Sequence, residues 1–90
     1  MKDDNTILSQ LEELALRLGM NIRYASLDTD GFHHMGGFCQ IKGKDFLIIN
    51  QKATPREKIH IFIDALQRRD LSEIYILPSL RDMLDLANGH

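Results

Sequence analysis

The chemically most versatile side chains of this chain are two histidines and the single cysteine, His33, His34 and Cys39, which lie close together in the sequence. Imidazole and thiolate groups bind soft metal ions, and a cysteine beside a base can act as a nucleophile. Zinc, however, usually takes four ligands, or three with a water molecule, and adjacent histidines on an extended segment point to opposite sides. The alternative is that Cys39 is a small buried strand residue and that both histidines are solvated. We therefore expect no metal or other cofactor and retain the three residues as candidate ligands for a metal or a small molecule.

A second polar pair, His60 and Asp64, has the spacing of one helical turn. Such a pair can hydrogen-bond as a general base and the group that orients it, although exposed helical pairs are usually just solvated. No set of nucleophile, base and oxyanion donors is recognisable in the chain. Whether the protein is an enzyme stays open, and the sequence favours a protein without catalytic residues.

The candidate ligands lead into a predicted β-hairpin with strands at 37–42 and 45–50 and a tight turn at Gly43-Lys44. The run from Phe46 to Ile49 is apolar on both faces, which predicts a central, well-covered strand. A helix start follows at Thr54, Pro55 and Glu57. These residues supply a capping hydroxyl, a proline at the first helical position and a carboxylate that bonds back to the cap.

The remaining pattern completes a small α+β fold. Ninety residues with 43% hydrophobic and 27% charged side chains fit one domain that spans residues 1–90. The predicted order is α-β-β-β-α-β-α, with an antiparallel three-stranded sheet packed by helices on at least one face. The other predicted elements are a helix from Thr6 to Leu18, a strand from Met20 to Leu27, a segment from Ile74 to Leu77 that is either a short fourth strand or simply extended, and a last helix after Pro78.

Composition also bounds the location of the protein. One cysteine cannot form an internal disulfide, and neither an early basic and apolar leader nor a long apolar span is present. These features predict a cytoplasmic protein that does not enter the membrane.

Positive charge is concentrated in the middle of the chain. Residues 31–69 carry seven basic and three acidic groups, although the whole chain has a net charge of −2. This basic patch either meets phosphates or an acidic partner, or solvates a turn and protects a sheet edge. A pI of about 6.0 is low for a nucleic-acid-binding domain, so nucleic acid is not an expected partner. The residues of the patch are Lys42, Lys44, Lys52, Arg56 and Lys58.

Each predicted helix carries an apolar residue away from its core stripe. At 100° per residue, Ile61 lies almost opposite the stripe of Ile59, Phe62, Ile63 and Leu66. Leu16 is similarly displaced in the first helix, and Leu86 is displaced to a lesser degree in the last helix. Single exposed aliphatic residues are ordinary, but three of them predict a second apolar surface for self-association or a partner protein.

The segment Ile48-Ile49-Asn50, followed by Thr54-Pro55-Arg56-Glu57 and an apolar helix, resembles the corresponding part of the ImmA/IrrE-type zinc peptidase domain. That family carries a His-Glu-x-x-His motif on the helix, where this chain reads Asp64-Ala65-Leu66-Gln67-Arg68. The resemblance covers about a third of the chain. It implies a shared αβββα scaffold in a member without peptidase residues, and no active-site residue is carried over. The whole chain looks more like small uncharacterised bacterial proteins.

These observations predict a non-catalytic, cytoplasmic protein-interaction module that associates with itself or with another protein through helix faces. The alternative prediction is a ligand- or metal-binding protein or enzyme centred on His33, His34 and Cys39. The two predictions differ in whether those side chains converge on a pocket.

Overall fold

The computed structural model describes residues 3–28, 31 and 34–87. Within these ranges the chain forms a small α+β domain with three helices and one three-stranded mixed sheet. The elements in chain order are α1 (Asp4–Arg17), β1 (Asn21–Ala25), β2 (Gly36–Ile41), β3 (Lys44–Asn50), α2 (Pro55–Leu66) and α3 (Pro78–Ala87).

Helix α1 starts two residues before its predicted first residue. The reason is a side-chain cap: a carboxylate oxygen of Asp3 accepts a hydrogen bond of 2.8 Å from the amide of Thr6. This bond from the Thr6 amide is the largest cause that holds the pKa of the Asp3 carboxyl below its ordinary value. The helix ends before Gly19, which adopts the left-handed conformation with a φ of 82°.

The prediction of an antiparallel sheet is correct for β2 and wrong for β1. The strand order is β1-β3-β2, with β2 antiparallel and β1 parallel to β3. Ala25 at the end of β1 and Gly36 at the start of β2 both lie at the carboxyl end of β3, opposite Asn50 and Ile49. β1 and β2 therefore lie on opposite edges of β3 and are joined by residues 26–35, of which 26–28, 31 and 34–35 are described. We call this connection the crossover loop.

The hairpin turn lies one residue earlier than predicted. Its two central residues are Lys42 and Gly43, with φ values of 52° and 80°. Two consecutive positive φ values are typical of the type I′ turn, which matches the twist of the strands that it joins. Glycine adopts this conformation without strain, and Lys42 is the only described residue other than glycine with a positive φ.

The helices cover one face of the sheet. Leu47 and Ile49 of β3 point to this covered face and are fully buried. Helices α1 and α2 pack side by side on the same face, and α3 packs against α2. Phe46 and Ile48 point to the opposite, open face and are half-buried. The prediction of a central strand is confirmed, because β3 lies between β1 and β2. The expected cover is complete on one face only, because both packed helices lie on the same side.

Helix α2 begins as predicted. The side chain of Thr54 accepts from the amide of Glu57, and the Glu57 carboxylate accepts from the amide of Thr54, which completes a capping box. The predicted outward position of Ile61 is wrong, because this side chain is buried. α2 contacts α1, α3, β2 and β3, so its buried arc is wider than a single stripe.

The segment from Ile74 to Leu77 pairs with none of the described strands, so of the two predicted alternatives the fourth strand is absent from the described sheet. The segment contributes one core residue, Ile76, and leaves Tyr75 exposed. α3 then adds Leu80 and Leu84 to the core.

Candidate functional site

Two of the three candidate ligands lie near each other. Exposed His34 and half-buried Cys39 line the same shallow cavity of about 650 Å³ beside Met35 and Ile48. His33 lies outside the described residues. Among the residues that are described, no three histidine, cysteine or acidic side chains are close enough to hold a metal ion. The ligand-binding alternative therefore stays a prediction.

The second polar pair is not joined as the sequence suggested. Asp64 forms an ion pair with Arg68, one turn further along α2, with an Nη2 to Oδ2 distance of 3.3 Å. The Arg68 guanidinium also lies 5.2 Å from the ring centroid of Phe38 in β2, a cation–π contact. His60 is exposed on the same helix.

The amino end of β3 carries a buried carboxylate, Asp45. Arg69, which follows α2, donates one hydrogen bond to Asp45 and a second, of 3.0 Å, to the carbonyl oxygen of Leu18 at the end of α1. Gln40 of β2 donates to the other Asp45 oxygen at 2.8 Å. Asp45 and Arg69 therefore join β2, β3 and the ends of two helices.

A polar cavity of about 740 Å³ lies beside this cluster. Lys44, Arg68 and Arg69 line it, but Arg69 is paired with Asp45 and Arg68 with Asp64. None of the described lining residues is a histidine, cysteine or serine. The cavity is thus a polar groove whose arginines already have acidic partners.

The carboxyl end of β3 carries a buried amide, Asn50. Its side-chain nitrogen donates to a carboxylate oxygen of Asp28 at 2.6 Å and to the carbonyl oxygen of His34 at 2.7 Å. Its side-chain oxygen accepts from the amide of Lys52 at 2.9 Å. Asn50 thereby fastens both ends of the crossover loop to the end of β3. No spacing or motif in the sequence predicts this role of Asn50.

The predicted basic patch is divided. Lys42 and Lys44 lie at the hairpin turn, whereas Lys52, Arg56 and Lys58 lie beyond the other end of β3. The two groups lie at opposite ends of β3, and the length of this seven-residue strand separates them by about 20 Å. Within the second group, Arg56 pairs with Asp4 at 3.6 Å. The five cations therefore do not form one continuous surface.

The three predicted interface residues have different outcomes. Leu16 is 56% exposed, as expected for a residue outside the core stripe. Ile61 is only 5% exposed and is no surface for a partner. The side chain of Leu86 lies outside the described part of the chain. Whether Leu16 contacts a partner stays a prediction.

The two edges of the sheet differ in protection. On the β1 edge, the charged Arg23 occupies the middle of the strand, and the Tyr24 hydroxyl donates to Glu12 of α1 at 2.8 Å. Partial burial, followed by the bond to Glu12, raises the pKa of Tyr24 to about 12. Lys58 of α2 lies over the Tyr24 ring, 5.5 Å from its centroid.

Among the residues that the structure describes, none gives the β2 edge comparable protection. Its sequence, Gly-Gly-Phe-Cys-Gln-Ile, contains neither a charged residue nor a proline. Native proteins usually blunt exposed edge strands with such residues, because unpaired backbone groups bind further strands. The register of β2 identifies the outward groups. The backbone N–H of Asn50 donates to the carbonyl oxygen of Met35, and the turn closes between Ile41 and Lys44, so residues 35, 37, 39 and 41 form the hydrogen-bonded pairs with β3. The alternate residues Gly36, Phe38 and Gln40 therefore direct their backbone amides and carbonyls away from β3.

No protein-family model, no curated protein and no solved structure matches this chain. The resemblance to the ImmA/IrrE-type domain accordingly stays a prediction. No helix among the described residues is both long enough and apolar enough to cross a membrane.

Proposed function

We propose that this protein is a non-catalytic, self-associating interaction module and that it associates through strand β2. The observation that carries the proposal is the unprotected β2 edge, with its outward backbone groups at Gly36, Phe38 and Gln40. A strand of a second copy satisfies those groups in the way that a peptide extends a sheet.

The occupant that we favour is a second copy of the same chain. Two identical strands that pair antiparallel are related by a two-fold axis, so their association closes at two subunits. The half-buried Phe38 and Cys39 gain cover in such a pair, one on each face of the sheet. One strand pair is a small interface, and we expect a dissociation constant on the order of micromolar.

The predicted helix faces support this function less well than the sheet edge does. Ile61 is buried in the core, and Leu16 is a single exposed aliphatic residue on α1. The surface is therefore assigned to the sheet edge rather than to the helices.

A proline at position 40 tests the proposal. The Gln40 amide points outward, so Gln40→Pro removes an edge donor without removing a hydrogen bond to β3. The matched control is Gln40→Ala, which also loses the side-chain bond to Asp45 but keeps the amide.

Light scattering after gel filtration and native mass spectrometry, over a range of protein concentrations, measure the oligomer. We expect the wild type and Gln40→Ala to dimerise and Gln40→Pro to remain largely monomeric, with similar circular dichroism for all three. A wild type that stays monomeric at the highest concentration contradicts the proposal, as does a Gln40→Pro variant that dimerises as well as Gln40→Ala.

A further inference from the structure

We infer, on the basis of the self-association proposed above, the register of the dimer: two β2 strands pair antiparallel about a two-fold axis that passes through Phe38. In this register Gly36 lies opposite the partner's Gln40, and Phe38 lies opposite the partner's Phe38. The six-residue strands then overlap almost completely and form one six-stranded sheet.

The register follows from the outward backbone groups. Of the residues of β2, only every second one, Gly36, Phe38 and Gln40, presents its backbone amide and carbonyl to the partner. With the axis at Phe38, three pairs form, which gives about six backbone hydrogen bonds. A shift of two residues moves a turn residue, Lys42, opposite the partner's Gly36 and leaves about four bonds. The most complete pairing therefore places Phe38 on the axis.

The side chains at the axis are compatible with this arrangement. On the covered face, the two Phe38 rings are direct cross-strand neighbours, and aromatic pairs of this kind stabilise sheets. In each subunit the Arg68 guanidinium lies over the Phe38 ring and forms an ion pair with Asp64. Two positive and two negative groups therefore surround the axis, without an uncompensated charge.

The open face of the sheet provides a covalent test. Here Gly37 lies opposite the partner's Cys39 in a non-hydrogen-bonded pair, with Cα atoms about 4.5 Å apart. That separation is within the range of disulfides. A Cβ atom added at Gly37 meets nothing within 4 Å, and the residue has no left-handed φ, so Gly37→Cys fits the fold. The two-fold axis then yields two identical disulfides per dimer.

The matched control is Ile41→Cys, which also has two thiols on the open face. Residue 41 lies opposite the partner's Met35 in this register and not opposite a cysteine. Under mild oxidation, we expect Gly37→Cys to form a covalent dimer at least tenfold faster than Ile41→Cys or the wild type. Peptide mass mapping should locate its disulfides between positions 37 and 39, and circular dichroism of the reduced protein checks the fold.

The outcomes separate the register from the self-association. If light scattering finds a dimer but Gly37→Cys is not cross-linked faster than Ile41→Cys, the register is wrong and the association stands. A wild-type dimer that cross-links through Cys39 faster than Gly37→Cys also overturns the register. If the wild type is monomeric at every concentration, both proposals fail.

Hydrogen exchange of the unmodified protein gives a second measurement that depends on no variant. The amides of Phe38 and Gln40 bond to the partner in the proposed register. Their exchange should slow as the protein concentration rises, while the amides of the buried core do not change. Exchange at these two amides that is independent of concentration, in a protein that dimerises, contradicts the register.

Discussion

At its amino end, strand β3 buries a carboxylate, Asp45, and at its carboxyl end it buries an amide, Asn50. Both residues connect segments that are distant in the sequence, but they differ in how they are satisfied. Asp45 binds the cation Arg69, whose side chain is 37% exposed, whereas Asn50 is fully buried and bonds to Asp28 and a backbone carbonyl. The comparison indicates that the Asn50 end tolerates change less well, because water cannot replace a lost partner there.

The largest effect is expected for Asn50→Asp. This substitution keeps the shape of the side chain but removes both donors and places two carboxylates within hydrogen-bond distance of each other. A carboxylate at the fully buried position 50 repels that of Asp28 and loses both donated hydrogen bonds, and we expect a loss of about 3–5 kcal/mol in the free energy of unfolding. Urea unfolding followed by circular dichroism, at one fixed protein concentration, measures it.

Acidification distinguishes the mechanism in Asn50→Asp from a simple packing defect. Two adjacent carboxylates raise the pKa of one of them, and protonation restores one donor. The deficit relative to the wild type should therefore shrink as the pH falls. A deficit that is constant with pH would show that repulsion between Asp28 and residue 50 is not its cause.

A smaller effect is expected at the opposite end of β3. Asp45→Asn keeps an acceptor for Gln40 or Arg69 but loses the charge that attracts the guanidinium. Because Arg69 is partly exposed, water solvates its unpaired nitrogen, and we expect a loss of about 1–2 kcal/mol. The same urea experiment compares the two variants. If Asp45→Asn is as damaging as Asn50→Asp, exposure of the partner does not explain the difference between the ends.

The two ends also differ in how far the sequence could predict them. Asp45 alternates with the buried Leu47 and Ile49, so its position on the covered face follows from the period of the strand. Its partner Arg69 lies 24 residues away and cannot be inferred from local spacing. Asn50 lies on the same face of the strand as Phe46 and Ile48, which is the open face. It is nevertheless buried, because residues of the crossover loop bond to it.

The same division between local and distant information applies to the fold and to the candidate site. The start of α2 was predictable because Thr54 and Glu57 cap each other within one turn. The parallel pairing of β1 was not, because a ten-residue connection reaches either edge of β3. The unprotected edge could be read in the uncharged composition of β2, but only the strand order establishes that β2 is an edge.

The smallest effect concerns the protected edge, where Tyr24 bonds to Glu12 on the surface. The folded-state pKa of Tyr24 is raised to about 12, above the ordinary value of 10.0, first by partial burial and then by Glu12. A raised folded-state pKa means that the fold favours the protonated phenol. This contribution to stability is present below pH 10 and is lost as the pH rises towards 12.

Absorbance of the ionised phenol, in a Tyr75→Phe background that leaves Tyr24 as the single tyrosine, measures this titration. We expect a midpoint near 12, and a lower midpoint when Glu12→Gln removes the negative charge. Since Tyr24 is 43% exposed, this change should alter stability much less than either end of β3. A midpoint at the ordinary value of 10.0 would mean that neither the partial burial of Tyr24 nor its contact with Glu12 persists in solution.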